Sequence, residues 1–218
     1  MKKWSIMAVS LLCTAVFSSG CTKESDAFEA KSYTSEGETI TSIRIDVRDK
    51  EIQVTASDNE FVHMDYYEND TRYYDISVSD GLLSVTEKSD EGIGKFFGIK
   101  SSNQENVLSL QIPESQISDL EIRTSNENIS LSDIAVTETI SLIDNGGNIF
   151  FQNLGSGSDI TISNKNGGIG GTILGTYEDY NILCDIKKGD SSLPSKDNGA
   201  GKSLYVTNNN GNVEIDFK

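Results

Sequence analysis

The stretch LIDNGGNIFFQNLGSGSDITISNKNGGIGGTIL, residues 142–174, decides how the chain is read. Asn145-Gly146-Gly147 and Asn166-Gly167-Gly168 repeat one signal, each just ahead of an isoleucine. Either these are glycine-rich loops that hold a ligand, or they are corners of a repeated architecture. The aliphatic residues around them settle the choice. Leu120, Ile140, Ile160 and Tyr180 stand twenty residues apart, and Ile122, Leu142, Ile162 and Ile182 follow two residues later in the same step. Ile129, Ile149 and Ile169 form a third series, and Ile134, Leu154 and Leu174 a fourth. Leu204, Val206, Val213 and Ile215 repeat the inner spacings, shifted by an insertion, and Ile43, Ile45, Ile52 and Val54 fit them too.

A fixed period with alternating apolar residues is the mark of a stacked repeat. The glycines fall between the two strand-like halves of each unit, where the chain must turn. Asn126, Gly146, Gly147, Asn166, Gly167 and Gly211 are therefore read as structural corner positions, because Asn and Gly accept the left-handed backbone that tight corners use. A phosphate-cradling loop would need a following helix to offer its amides, and no helical period follows. The expected fold is all-β: a β-solenoid, or β-helix-like stack, of about 20-residue coils, with an N-terminal antiparallel strand region over residues 40–112. Stacking predicts core columns Ile122–Leu142–Ile162–Ile182–Val206 and Ile129–Ile149–Ile169–Val213. Cys184 falls on the inward face, as a small buried apolar residue. Asp80-Gly81 between two alternating runs predicts a hairpin.

The N-terminus has another logic. Lys2 and Lys3 precede a mostly apolar run, Ile6–Phe17, and Ser18-Ser19-Gly20 leads to Cys21. This is the layout of a secretory signal. Small residues up to a cysteine resemble the lipobox of bacterial lipoproteins, with Ser18 where an aliphatic residue is usual. That resemblance implies cleavage before Cys21 and acylation of its thiol. Residues 1–20 are then a lipoprotein signal peptide, 21–39 the acylated Cys and a flexible tether, and 40–218 a single β-repeat domain. With Cys13 in the signal and Cys21 acylated, Cys184 stands alone, so no disulfide staples the domain.

Acidic residues outnumber basic ones 34 to 18, for a net charge of −16, which losing Lys2 and Lys3 takes to −18. Such a surface repels nucleic acid and anionic headgroups. The partners expected are the membrane, through the lipid anchor, and an envelope polymer or surface protein. The expected location is the extracytoplasmic face of a bacterial membrane.

From residue 40 onward the segments TSIRIDVRDKEIQVTAS, YDISVSDGLLSVTEK and LSLQIPES lead into the repeats and end in LYVTNNNGNVEIDF. This order resembles the bacterial putative-adhesin family of β-strand repeats, a domain of unknown function. The resemblance implies a β-helix-like fold and a non-catalytic surface role, and it carries over no catalytic residue.

Three motifs invite other chemistry. Gly201-Lys202-Ser203 ends like a P-loop, but its first glycine would fall at Lys196. GGNIFF and GGIGGT resemble a calcium-binding nonapeptide, yet Phe151 and Thr172 stand where an aspartate is needed. His63, the single histidine, sits in an alternating strand and is expected to be structural or to face solvent. EGIGKFFGIKSSNQEN, residues 91–106, reads as a capping loop, with an exposed aromatic contact as the other reading. No cofactor and no metal are called for, beyond loose Ca²⁺ on acidic corners. Three functions follow: a non-catalytic binding, adhesion or structural module; a polysaccharide-active enzyme using an acidic pair; and an envelope-sensing accessory protein.

Overall fold

The computed structural model describes residues 27–90, 105–113, 116–194 and 199–218. Cys21, the signal and residues 91–104 of the 91–106 segment lie outside the described residues. Those described form seventeen strands and one short 3-10 turn at Tyr177–Asp179.

The strands make two sheets around one apolar core. The eight-stranded sheet runs β15 (Tyr180–Ile186), β16 (Lys202–Asn210), β13 (Asp159–Asn166), β11 (Thr139–Asp144), β8 (Asp119–Arg123), β2 (Ser42–Asp46), β6 (Leu82–Ser89), β5 (Arg72–Ser79). The nine-stranded sheet runs β1 (Glu29–Thr34), β4 (His63–Glu68), β7 (Val107–Ile112), β3 (Glu51–Ala56), β9 (Ile129–Ser132), β12 (Ile149–Ser156), β14 (Ile169–Ile173), β17 (Val213–Phe217), with β10 (Ala135–Val136) also paired to β12. The chain crosses from one sheet to the other at each corner.

Register shows why the twenty-residue grid exists. Ile140 lies opposite Leu120 on one side and Ile160 on the other, in parallel ladders, and Ile149 lies between Ile129 and Ile169. Parallel neighbours about 4.8 Å apart put equivalent residues in file. Inward alternation then turns each file into a dry column. Leu83, Ile43, Leu120, Ile140, Ile160, Leu204 and Ile182 form one such file across the eight-stranded sheet. Leu108, Ile52, Ile129, Ile149, Ile169 and Val213 form one across the nine-stranded sheet.

Several expectations change. In the fourth series Leu154 pairs with Ile173, and Leu174 is left exposed. The file through Ile122, Leu142 and Ile162 continues to Val206 and then Cys184, not to Ile182, because β16 lies against β13 and pushes β15 to the edge. Cys184 is accordingly only half-buried, with Sγ 3.4 Å from Ser191 Oγ. The N-terminal region is not uniformly antiparallel: β2 and β3 pair in parallel with both neighbours, and only β1–β4–β7 and the β5–β6 hairpin are antiparallel. Asp80 and Gly81, with φ of 52° and 79°, make that hairpin's tight turn. Residues 22–39 are not all tether either, since Glu29–Thr34 forms β1 and covers the edge of β4.

Ile149 is fully buried mid-column, whereas Leu183 is 55% exposed on edge strand β15. Ile149→Ala should cost about 2–5 kcal/mol in urea unfolding, and Leu183→Ala less than about 0.5 kcal/mol.

Candidate functional site

Two places gather unusual chemistry: the corners, which the sequence singled out, and the outer faces of the sheets, which it did not. Among the corner residues, Asn126 lies between β8 and β9 with φ of 64°, and its Nδ2 donates to Asp49 Oδ1 at 2.6 Å. Gly167, between β13 and β14, and Gly211, between β16 and β17, take φ of 132° and 137°. Gly146 and Gly147, between β11 and β12, are needed for a different reason. A Cβ on Gly147 would run into the Glu127 carbonyl and come within 2.8 Å of Asn128 N, and one on Gly146 would lie 2.8 Å from Asn126 Oδ1. Asn166 ends β13, with Nδ2 donating to Asn145 O at 3.1 Å. The fold thus brings these six residues into one row of stacked corners.

Behind that row runs a buried polar column that the sequence reading missed. Thr124, Asp144, Asn164 and Asn208 are all at most 2% exposed. Asp144 accepts the backbone N–H groups of Asn145 (2.6 Å), Gly146 (3.2 Å) and Gly147 (2.7 Å). Burial pushes its carboxyl above the usual range, and those three bonds pull the other way. Asn164 Nδ2 donates to Gly147 O at 2.8 Å, and Asn208 Nδ2 to Gly167 O at 2.9 Å and Gly211 O at 3.1 Å. The available signal was parity: Thr124, Asp144 and Asn164 stand twenty apart at an inward-facing position that should be apolar. Asn128 and Asn148 add an amide-to-amide bond of 3.2 Å. The corner polar groups are largely spent on holding corners together.

Other candidates are also occupied. Lys202 of the P-loop-like run opens β16, donates to Ser156 O at 2.8 Å and lies 5.6 Å from the Tyr180 ring centre. His63 bridges Thr34 Oγ1 (3.2 Å) and Asn59 Oδ1 (2.9 Å), tying β1 to the turn before β4. Among the described residues no three His, Cys, Asp or Glu side chains converge as a metal site.

The outer face of the eight-stranded sheet satisfies many of its own charges. Arg44 pairs with Glu121 at 2.8 Å and Arg123 approaches Glu121 at 3.8 Å. Asp119 accepts from Ser118 (2.6 Å), Thr139 (2.6 Å) and Ser42 (3.3 Å), bonds that hold its carboxyl below the usual range.

The outer face of the nine-stranded sheet differs. Gln53, Ser130, Phe150, Gly170 and Glu214 follow one another across β3, β9, β12, β14 and β17. They line an open concavity of about 560 Å³. Phe150 is 50% exposed, an unusual position for a phenyl ring. Gly170 has no side chain, so the strip between Phe150 and Glu214 is floored by backbone. Thr55, Gln152 and Glu214 have no side-chain partner within the described residues. An aromatic wall, a bare floor and uncommitted polar groups form a surface that can hold a flat, polar molecule.

A lowered native pKa means Asp119 contributes stability that is present above the ordinary carboxylate range and lost as pH falls through the native value. Asp119→Asn should lower the urea midpoint near neutral pH, and the gap to the parent should close in acid. Gly147→Ala should cost at least about 2 kcal/mol, because the colliding atoms are backbone.

No curated protein matches the chain. Among solved structures, a putative cell adhesion protein from Clostridium sporogenes ATCC 15579 superposes with a TM-score of 0.57 at 14% identity, covering 88% of this chain and 99% of that one. A putative adhesin from Bacteroides fragilis NCTC 9343 gives 0.43 at 10% identity, over 88% and 98%. At these identities the first likeness speaks for the fold alone. The family model described as Toastrack DUF4097 matches residues 40–218, so this chain belongs to the Toastrack DUF4097 family.

Proposed function

We propose that this protein is a lipid-anchored extracytoplasmic binding module, a solenoid-like stack that holds an envelope carbohydrate on the outer face of its nine-stranded sheet and does not cleave it. The observation that carries this reading is the strip between Phe150 and Glu214, floored by Gly170. A pyranose ring can lay its C–H face on a phenyl ring while its hydroxyls reach Gln53, Ser130 and Gln152. The lining has no Lys or Arg, and Glu214 is its single carboxylate. Together with the excess of acids in the chain, this favours a neutral or amine-bearing sugar over an anionic polymer. Hydrolysis of a glycosidic bond ordinarily needs two carboxylates flanking it, and the strip offers one. That the superposed Clostridium protein is a putative cell adhesion protein agrees with a surface-binding role.

The leader supplies the location. Acylation of Cys21 would leave eight residues before β1, a reach of roughly 27 Å. The β1–β4 end of the stack would then sit close to the membrane, with β15 and β17 farther away.

Soluble protein spanning residues 22–218 should be retained on immobilised neutral or amino-sugar envelope polysaccharide. Phe150→Ala should weaken retention about tenfold, the loss of ~1.4 kcal/mol of stacking. Equal retention by the variant would move the site elsewhere, and shortened polysaccharide would replace binding by cleavage. In the full chain, Cys21→Ser should shift the protein from the membrane to the soluble fraction; unchanged partition would remove the anchor from the account.

A further inference from the structure

Three stacked corners carry the dipeptide Asn-Gly: Asn145-Gly146, Asn166-Gly167 and Asn210-Gly211. Asn198 of a fourth pair lies outside the described residues. In such a pair the glycine amide nitrogen can attack the asparagine side-chain carbonyl, because no Cβ shields it. The three corners share this dipeptide but have very different partners.

At two of them the reacting groups are tied down. Asn166 Nδ2 donates to Asn145 O at 3.1 Å, its Oδ1 accepts from Asn210 Nδ2 at 2.8 Å, and Gly167 N donates to Asn210 O at 2.9 Å. Asn210 Nδ2 is shared between Asn166 Oδ1 and Lys165 O, and Gly211 N donates to Lys188 O at 2.9 Å. Attack at either place must first break backbone and side-chain bonds.

Asn145 is different. Its side chain is exposed and makes no hydrogen bond to the described residues. Gly146 is exposed too, and its N donates to no carbonyl but to Asp144 Oδ1 at 3.2 Å. A carboxylate is a better proton acceptor than a carbonyl, and burial that raises the carboxyl's proton affinity strengthens it in that role.

We propose that Asn145 is a self-modification site, at which Asp144 and the open corner convert the side chain through a cyclic imide to aspartate and isoaspartate. Asp144 Oδ1 takes the Gly146 amide proton as Gly146 N bonds to Asn145 Cγ. The carboxamide C–N bond then breaks, and the nitrogen leaves as ammonia, recovering the proton. Water opens the five-membered ring at either carbonyl. Opening at the backbone carbonyl gives isoaspartate and adds one carbon to the main chain at the corner. The Asn145 carbonyl that receives Asn166 Nδ2 is thereby displaced, so the modification loosens the row of corners at one point.

The test is peptide mapping of the detergent-purified full chain during incubation at neutral pH, following the mass gain of amide-to-acid conversion and the isoaspartate content at each corner. Asn145 should convert at least about tenfold faster than Asn166 or Asn210, the factor that ~1.4 kcal/mol of hydrogen-bond restraint represents. In concentrated urea the three should convert at similar rates. Equal rates in the folded chain, or the same lead for Asn145 in urea, would overturn the proposal. Asp144→Asn, a residue already present at the register-equivalent positions 164 and 208, should slow conversion at Asn145 about tenfold or more while Asn166 and Asn210 hold their rates. An unchanged rate at Asn145 in that variant would remove Asp144 from the step.

Discussion

In-register parallel pairing is the constraint on which the rest of this structure depends. Once Leu142 lies between Ile122 and Ile162, the positions around it in each unit meet their equivalents one strand away. An apolar inward position becomes a column, and a column needs the next unit before it is dry. Corners come under the same rule. Successive corners lie one strand spacing apart, about 4.8 Å, and their backbones touch. Gly147 against Glu127, Gly167 against Gly147 and Gly211 against Gly167 leave no volume for a Cβ. The glycines are thus a consequence of stacking, and left-handed backbone is only part of the reason.

Stacking also explains the buried polar column. Main-chain groups at a corner turn away from the ladder and lose their strand partners, so something inside must bond to them. Asp144 collects three amide N–H groups, while Asn164 and Asn208 donate to the Gly147 and Gly167 carbonyls of the neighbouring corners. A carboxylate suits a corner that points its N–H groups inward, and an amide suits one that points its carbonyls. The same choice leaves Gly146 N facing an acid at one corner alone of the three Asn-Gly corners.

How much of this was legible follows from what periodicity can carry. The twenty-residue step fixed the parallel register of β8, β11 and β13, and of β9, β12 and β14, because both depend only on spacing. The place of β15 was not legible: Tyr180 and Ile182 keep the spacing, and only the packing of β16 against β13 excludes them. Strand β1 was missed because an edge strand buries little, and EAKSYT lacks the apolar alternation of its neighbours. The Phe150 strip was missed for a related cause. Outward residues of five strands, from Gln53 to Glu214, become neighbours only through pairing. In the sequence, alternation from the inward Ile149 turns Phe150 outward, but it does not say which side chains of the other strands lie beside it.

Architecture and proposed activity meet in the division of faces. Inward positions hold the stack and corners consume most of their own polar groups. The eight-stranded face pairs Arg44 and Arg123 with Glu121, and the nine-stranded face is left with an uncommitted strip. The measurement that tests this most directly is hydrogen–deuterium exchange of the soluble domain with and without bound polysaccharide. The account predicts added protection in the segments of β9, β12, β14 and β17 that line the Phe150–Glu214 strip, with the eight-stranded sheet unchanged. Protection centred on β2, β8 and β11, or on the ends of the stack, would contradict it.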